Sequence, residues 1–197
     1  MAEVICNTSP LQYLHQIDQL EILPALAGKV LVPQAVVEEL AEGAERGVNL
    51  PDLGKLFWVE VRSPAAALAQ PLVTNLGPGE TQVLMLTLEI PGSIAILDDR
   101  FARRIAEVRG IPVVGTLGLL LNAKRAGVLS QVGPSIDRLE RMGFRLSAQT
   151  HGVRYLPIGA APEDEAMPIP GPGVEAAGTP PGRSSRRRLG RGGPSRR

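Results

Sequence analysis

Asp98 and Asp99 stand side by side at the end of a short apolar run, Ile94-Ala95-Ile96-Leu97. Adjacent carboxylates repel each other, and water or a cation relieves that repulsion most readily. A divalent ion such as Mg2+ is commonly held by one or two carboxylates together with waters. The chain after the pair reads as a helix over residues 100–109. The pair therefore sits at the C-terminal end of a buried strand, and in open α/β sheets ligands bind outside the carboxyl ends of the strands. A plainer reading is open to the same residues: Asp99 as the N-cap of the following helix and Asp98 as a solvated turn residue.

Other reactive side chains fall at equivalent places. Asn7 follows the apolar run Val4-Ile5-Cys6, and Thr116 follows Val113-Val114. Glu38 and Glu39 lie in a helix over residues 34–42 that follows Val30-Leu31-Val32 and Pro33. Glu80 opens the helix after the turn Gly77-Pro78-Gly79. A carboxylate in the first turn is favoured by the helix dipole, which gives Glu80 a purely structural role to weigh against a chemical one. For Glu38 and Glu39 the plain reading is an ordinary solvated helix face.

The elements that must position these residues alternate. Short, wholly apolar strands are expected near residues 4–6, 30–32, 94–97 and 111–114, as in a parallel sheet covered on both faces. Residues 57–61, Phe-Trp-Val-Glu-Val, alternate more and read as a strand nearer an edge. Helices are expected from Ser9 and Pro10, with Ser9 as cap and Leu11, Leu14 and Ile17 as the apolar side. Others are expected over residues 20–26, 34–42, 81–89, 100–109, 117–126 and 130–142. Residues 63–76 resist assignment, and 144–147 read as a short final segment. Strands alternating with helices imply right-handed crossovers and one shared carboxyl edge. Asn7, Asp98, Asp99 and Thr116 then meet at that edge, with Glu39 and Glu80 overlooking it.

Composition sets the bounds. A chain of 197 residues suits one domain over residues 1–157 and a tail over 158–197. Aromatic residues are 3% of the chain, so the core must be aliphatic. The single cysteine, Cys6, excludes an internal disulfide and a cysteine-based zinc site. A buried thiol and no basic leader before the first strand fit a cytoplasmic protein. No apolar run reaches the roughly 20 residues that span a bilayer, so no membrane partner is expected. The tail is rich in Pro, Gly, Ser and Arg and carries seven of the basic residues. Such a composition is expected to be disordered, and it can touch nucleic acid through phosphates.

Taken in order, VICNTSPL, VPQAVVEEL, LGPGETQVLML, ILDDRFARRIA and GIPVVGTLGLLLNAKRAG resemble the PIN-domain superfamily, nearest to its DUF3368-type prokaryotic branch. The resemblance covers about residues 3–150 and rests on the order and spacing of five segments rather than on one motif. It implies a three-layer α/β/α fold with a central parallel sheet of about five strands. It further implies a Mg2+- or Mn2+-dependent ribonuclease whose site is a cluster of acids, of the kind found as toxins of toxin–antitoxin pairs. Carried over residue by residue, the acid positions fall at Asn7, Glu39 (with Glu38 as the lesser alternative), Glu80 and Asp98, with Asp99 as an alternative or additional ligand. Ser9 and Thr116 match small hydroxyl positions at the rim. Arg100 and Arg103, near in sequence, would offset the charge of RNA, although such a run is usually a solvated helix face. An antitoxin protein and a homodimer are the partners the resemblance implies.

Asn7 departs from the pattern, since active members carry Asp there. An amide keeps one acceptor oxygen and loses the charge. The alternative is thus a catalytically weakened domain that binds RNA or a protein partner without cleaving. An unrelated α/β enzyme such as a phosphatase finds no support in a phosphate-binding glycine loop or a cysteine nucleophile, and with only His15 and His151 histidine-rich chemistry is not expected.

Overall fold

The structure, a computed structural model, describes residues 2–65 and 76–144. All of them fall in the first of the two units into which the chain divides, Met1–Pro162 and Glu163–Arg197. The elements run β1 (Val4–Cys6), α1 (Thr8–Gln16), α2 (Ile22–Ala27), β2 (Val30–Val32), α3 (Gln34–Glu45), a 3-10 turn at Leu53–Lys55, β3 (Val59–Val61), α4 (Pro78–Glu89), β4 (Ile94–Ile96), α5 (Arg100–Val108), β5 (Val113–Val114), α6 (Thr116–Arg125) and α7 (Gly133–Arg141). Most of the unassignable stretch (residues 66–75), the final segment after Phe144 and the whole tail lie outside the described residues.

The five strands form one sheet in the order β3-β2-β1-β4-β5, and every pair is parallel. Helices cover both faces, giving the expected three-layer α/β/α architecture. Strands β1, β2, β4 and β5 are buried at every residue, as their unbroken apolar sequence requires. Strand β3 lies at one edge of the sheet, with Val59 half-buried and Glu60 and Val61 exposed. The chain leaves β1 toward β2 and β3, then returns to place β4 on the other side of β1. That reversal is a topological switch point, and it opens a crevice between the carboxyl ends of β1 and β4. In register, Cys6 pairs with Ile96. One further ladder bond on each side, Asn7 N to Ile96 O at 3.1 Å and Leu97 N to Val114 O at 2.9 Å, carries the sheet up to the site.

Two local readings need correction. Ser9 does not cap α1. The cap is Asn7, whose side chain makes no capping bond, and Ser9 lies within the first turn. Helix α3 runs on through Gly43 to Glu45 instead of stopping at 42, and Glu42 and Arg46 pair across that last turn. Arg138 of α7 donates to Ile17 O at 2.7 Å and to Asp18 Oδ2 at 2.6 Å. It thereby satisfies the last carbonyls of α1 from α7.

The core is aliphatic, with Ile5, Leu11, Leu14, Leu84, Leu86, Ile96, Leu97, Leu119 and Leu120 among its fully buried members. Cys6 lies within it, and burial pushes its thiol pKa well up, with the nearby charge of Asp98 adding to the effect. A thiolate is the reactive form. Cys6 is therefore expected to stay unmodified by a thiol reagent such as dithionitrobenzoate in the native protein and to react fully in guanidinium. Rapid reaction without denaturant would show that β1 opens readily. Among the described residues no helix is long and apolar enough to cross a membrane.

Candidate functional site

The site forms where helix N-termini meet the carboxyl edge of the sheet, and Glu39 and Asp98 are each docked on a backbone N–H at a helix start. Helix α1 starts directly after β1, so Asn7 is placed at the switch point and buried to 1% exposure. Its Nδ2 donates to Glu80 Oε1 at 2.9 Å. Glu80 is in the first turn of α4, as the dipole argument required. Glu39, from the middle of α3, accepts from the Gly79 N–H at 2.8 Å through Oε1 and from the Thr8 hydroxyl through Oε2. The docking is reciprocal, because Gln82 of α4 accepts from the Ala35 N–H of α3 at 3.0 Å. Three segments are thus tied together through Asn7, Glu39 and Glu80.

Gly79 lets them approach. A β-carbon on it would stand 2.7 Å from Asn7 Oδ1 and 2.7 and 2.8 Å from the two Glu39 oxygens. No side chain fits among those oxygens, and only glycine leaves room.

Asp98 forms the other half, at the end of β4. Its Oδ1 accepts from the Thr116 N–H at 2.8 Å and its Oδ2 from the Thr116 hydroxyl at 2.5 Å. Thr116 is fully buried as the first residue of α6. Arg103, half-buried on α5, donates to Leu97 O at 3.2 Å, and its charge reaches Asp98. Burial holds the Asp98 carboxyl above the usual carboxylate range, and the Thr116 bonds and Arg103 oppose that shift without cancelling it. The same carboxylate raises the phenol of Tyr13, after burial, which places its field over β1 and α1.

Asp99 follows the plainer reading: exposed, it accepts from the Ala102 N–H at 2.7 Å and caps α5. Arg100 is exposed at the first position of α5, and Ser9 is half-buried in the first turn of α1. Glu38 is exposed and pairs with Gln34 on its own helix, so of the two glutamates only Glu39 turns to the site. Sequence reasoning missed Thr8, Gly79 and Gln82. Thr8 had a usable signal in its place directly after Asn7, whereas Gln82 had none.

Among the described residues, no three Asp, Glu, His or Cys side chains come together as a metal-binding group. Glu39 is held by Thr8 and the Gly79 N–H, whereas Glu80 is held by the Asn7 amide. That amide leaves one atom unmatched, since Asn7 Oδ1 is buried and accepts from no donor. An unmatched buried acceptor costs about 1–3 kcal/mol. Turning the amide over would set that oxygen against Glu80 Oε1, so the hydrogen bond fixes its orientation. The donors on offer are all oxygen, and an orphan carbonyl oxygen stands among them. Such a set fits a hard divalent cation.

A parallel sheet of this order, helices on both faces and acids at its switch point define a nuclease-type α/β/α fold. The chain matches the DUF3368 family model, a PIN domain, over residues 3–154, and it belongs to that family. No curated protein matches it.

Proposed function

We propose that this PIN domain is a divalent-metal-dependent ribonuclease, with Mg2+ or Mn2+ as cofactor, acting as the toxin of a toxin–antitoxin pair. One observation carries the reading: Asn7, Glu39, Glu80 and Asp98 come from four separate segments to the carboxyl edge of the sheet, where the Asn7 amide oxygen is buried with no donor. Asn7, Glu39, Glu80 and Asp98 would hold the cation. Held there, it would supply Lewis-acid chemistry, polarising the phosphodiester and lowering the pKa of a bound water. The protein's own groups bind and orient RNA. Helices α1, α5 and α6 start at this edge, and the positive ends of their dipoles favour phosphate. Arg100 presents a charge to the backbone from the first turn of α5, and Arg103 steadies the end of β4. Thr116 orients Asp98, Thr8 orients Glu39 and Asp99 fixes the start of α5. Ser9 lies next to Thr8 at the rim. An antitoxin, a second copy of the chain and a cytoplasmic setting go with this role.

A second reading is supported by Asn7 and by the engagement of both oxygens of Glu39 and of Asp98 with protein donors. It is a domain that binds RNA or a protein partner without cutting. Incubating the full chain with end-labelled single-stranded RNA separates the two. The ribonuclease reading expects fragments with MnCl2 or MgCl2 and intact RNA with EDTA. Intact RNA at every metal concentration, with RNA retained by the protein in EDTA, would establish the second reading instead.

A further inference from the structure

The two ends of the Asn7 amide are in opposite situations. Nδ2 is matched to Glu80 at 2.9 Å, while Oδ1 is buried with no donor and, like both Glu39 oxygens, lies within 3 Å of where a β-carbon on Gly79 would stand. Glu80 thus decides which end of the amide points at the site. We infer that Asn7 is a neutral ligand locked in register by Glu80, so that its N–H does beside Glu80 what a cation would otherwise have to do. This rests on the metal-dependent reading above and adds a property of this chain: the site is assembled before a cation arrives.

The argument is electrostatic. With aspartate at position 7, two carboxylates would stand at hydrogen-bond distance in a half-buried setting, with neither a proton nor an ion between them. Like charges so placed must ionise one at a time or move apart. Asparagine removes that conflict and keeps the oxygen. The cost is one negative charge fewer around the ion, and affinity in such sites follows the charge count of the ligands. Asn7 therefore trades metal affinity for stability without metal.

The test uses the full chain and does not read RNA cleavage. Wild type, Asn7→Asp, Asn7→Ala and the double variant Asn7→Asp/Glu80→Gln are melted in EDTA and in MnCl2, and Mn2+ binding is titrated by calorimetry. Asn7→Asp is expected to melt about 5 °C or more below wild type in EDTA. It should gain more from Mn2+ than wild type does and bind it about tenfold more tightly. The double variant restores one donor and one carboxylate with their places exchanged, and its melting in EDTA should return toward wild type. Asn7→Ala should bind Mn2+ more weakly than wild type. If Asn7→Asp does not fold, the double variant decides: recovery supports the lock and continued failure overturns it. Equal or higher melting of Asn7→Asp in EDTA would overturn the lock, and equal Mn2+ affinity in Asn7→Ala would overturn the ligand. Mn2+ binding in this pattern by a protein that leaves RNA intact would remove the ribonuclease reading and leave this inference standing.

Discussion

Asp98→Asn is expected to raise the melting temperature of the metal-free protein and to lower metal-dependent RNA cleavage at least about 100-fold. The two effects share a cause. Burial holds the Asp98 carboxyl above the ordinary range despite two bonds from Thr116 and the charge of Arg103. Below the unfolded-state pKa, folded and unfolded chains both carry the proton, and the stability tied to this group is fully present. As pH rises, the unfolded chain releases its proton first, so the folded state binds more protons and stability falls with pH. The fall ends once pH has passed the raised folded-state pKa. At neutral pH the ionised group is thus a standing cost to the metal-free fold. Asparagine never ionises, and its oxygen can accept from the Thr116 N–H while its NH2 group faces the Thr116 hydroxyl, which can accept. The variant keeps what wild type loses. Melting both proteins in EDTA from pH 4 to pH 8 checks this, because the other carboxylates titrate alike in both. The difference should open in favour of the variant as pH rises. A constant difference would mean that Asp98 is not strained by its burial.

The strands and most helices were legible because their signals are local. Unbroken runs such as Val4-Ile5-Cys6 and Ile94–Ile96 belong to strands covered on both faces, and the alternation around Val59 belongs to an edge. The strand order was not legible, since which crossover lands beside β1 is decided by packing between distant segments. With it went the switch point that puts Asn7 and Asp98 on neighbouring strands. The resemblance ranks Glu39 above Glu38, but their own spacing does not separate them, because adjacent helix positions differ by about 100° and the facing of α3 is settled by its packing on α4. Ser9 reads as a cap by residue type alone. The chain turns into α1 one residue after β1, so Asn7 takes that position and its side chain is committed to Glu80 instead. The resemblance names acid positions, but it does not show that Glu39, Asp98 and Asp99 are docked on the N-termini of α4, α6 and α5. Such docking depends on where the helices start, and it is also the natural resting state for anions near an unfilled set of N–H donors.

Gly79→Ala is expected to destabilise the protein by about 1–3 kcal/mol, against the gain of about 1 kcal/mol that alanine brings to a helix interior. The sign is the informative part. Gly79 is the second residue of α4 and does not need a left-handed backbone, so conformational preference alone favours alanine. What opposes it is space. The new methyl would stand 2.7 Å from Asn7 Oδ1 and 2.7 and 2.8 Å from the Glu39 oxygens. None of these can step aside freely. Asn7 is buried and bonded to Glu80, and Glu39 is held by Thr8 and by the Gly79 N–H itself. Relief requires α4 to move away from α3, which lengthens the Gly79–Glu39 bond and pulls Glu80 from Asn7. Gly133, the first residue of α7, is the control, because a β-carbon there meets nothing within 4 Å. Gly133→Ala should be neutral or slightly stabilising in the same urea titration. Gly79→Ala should lose stability and also weaken Mn2+ binding, since the side chains it displaces are the proposed ligands. If Gly79→Ala proved as stable as Gly133→Ala, the start of α4 would be free to shift, and the contacts among Asn7, Glu39 and Glu80 would not be what holds that edge of the sheet together.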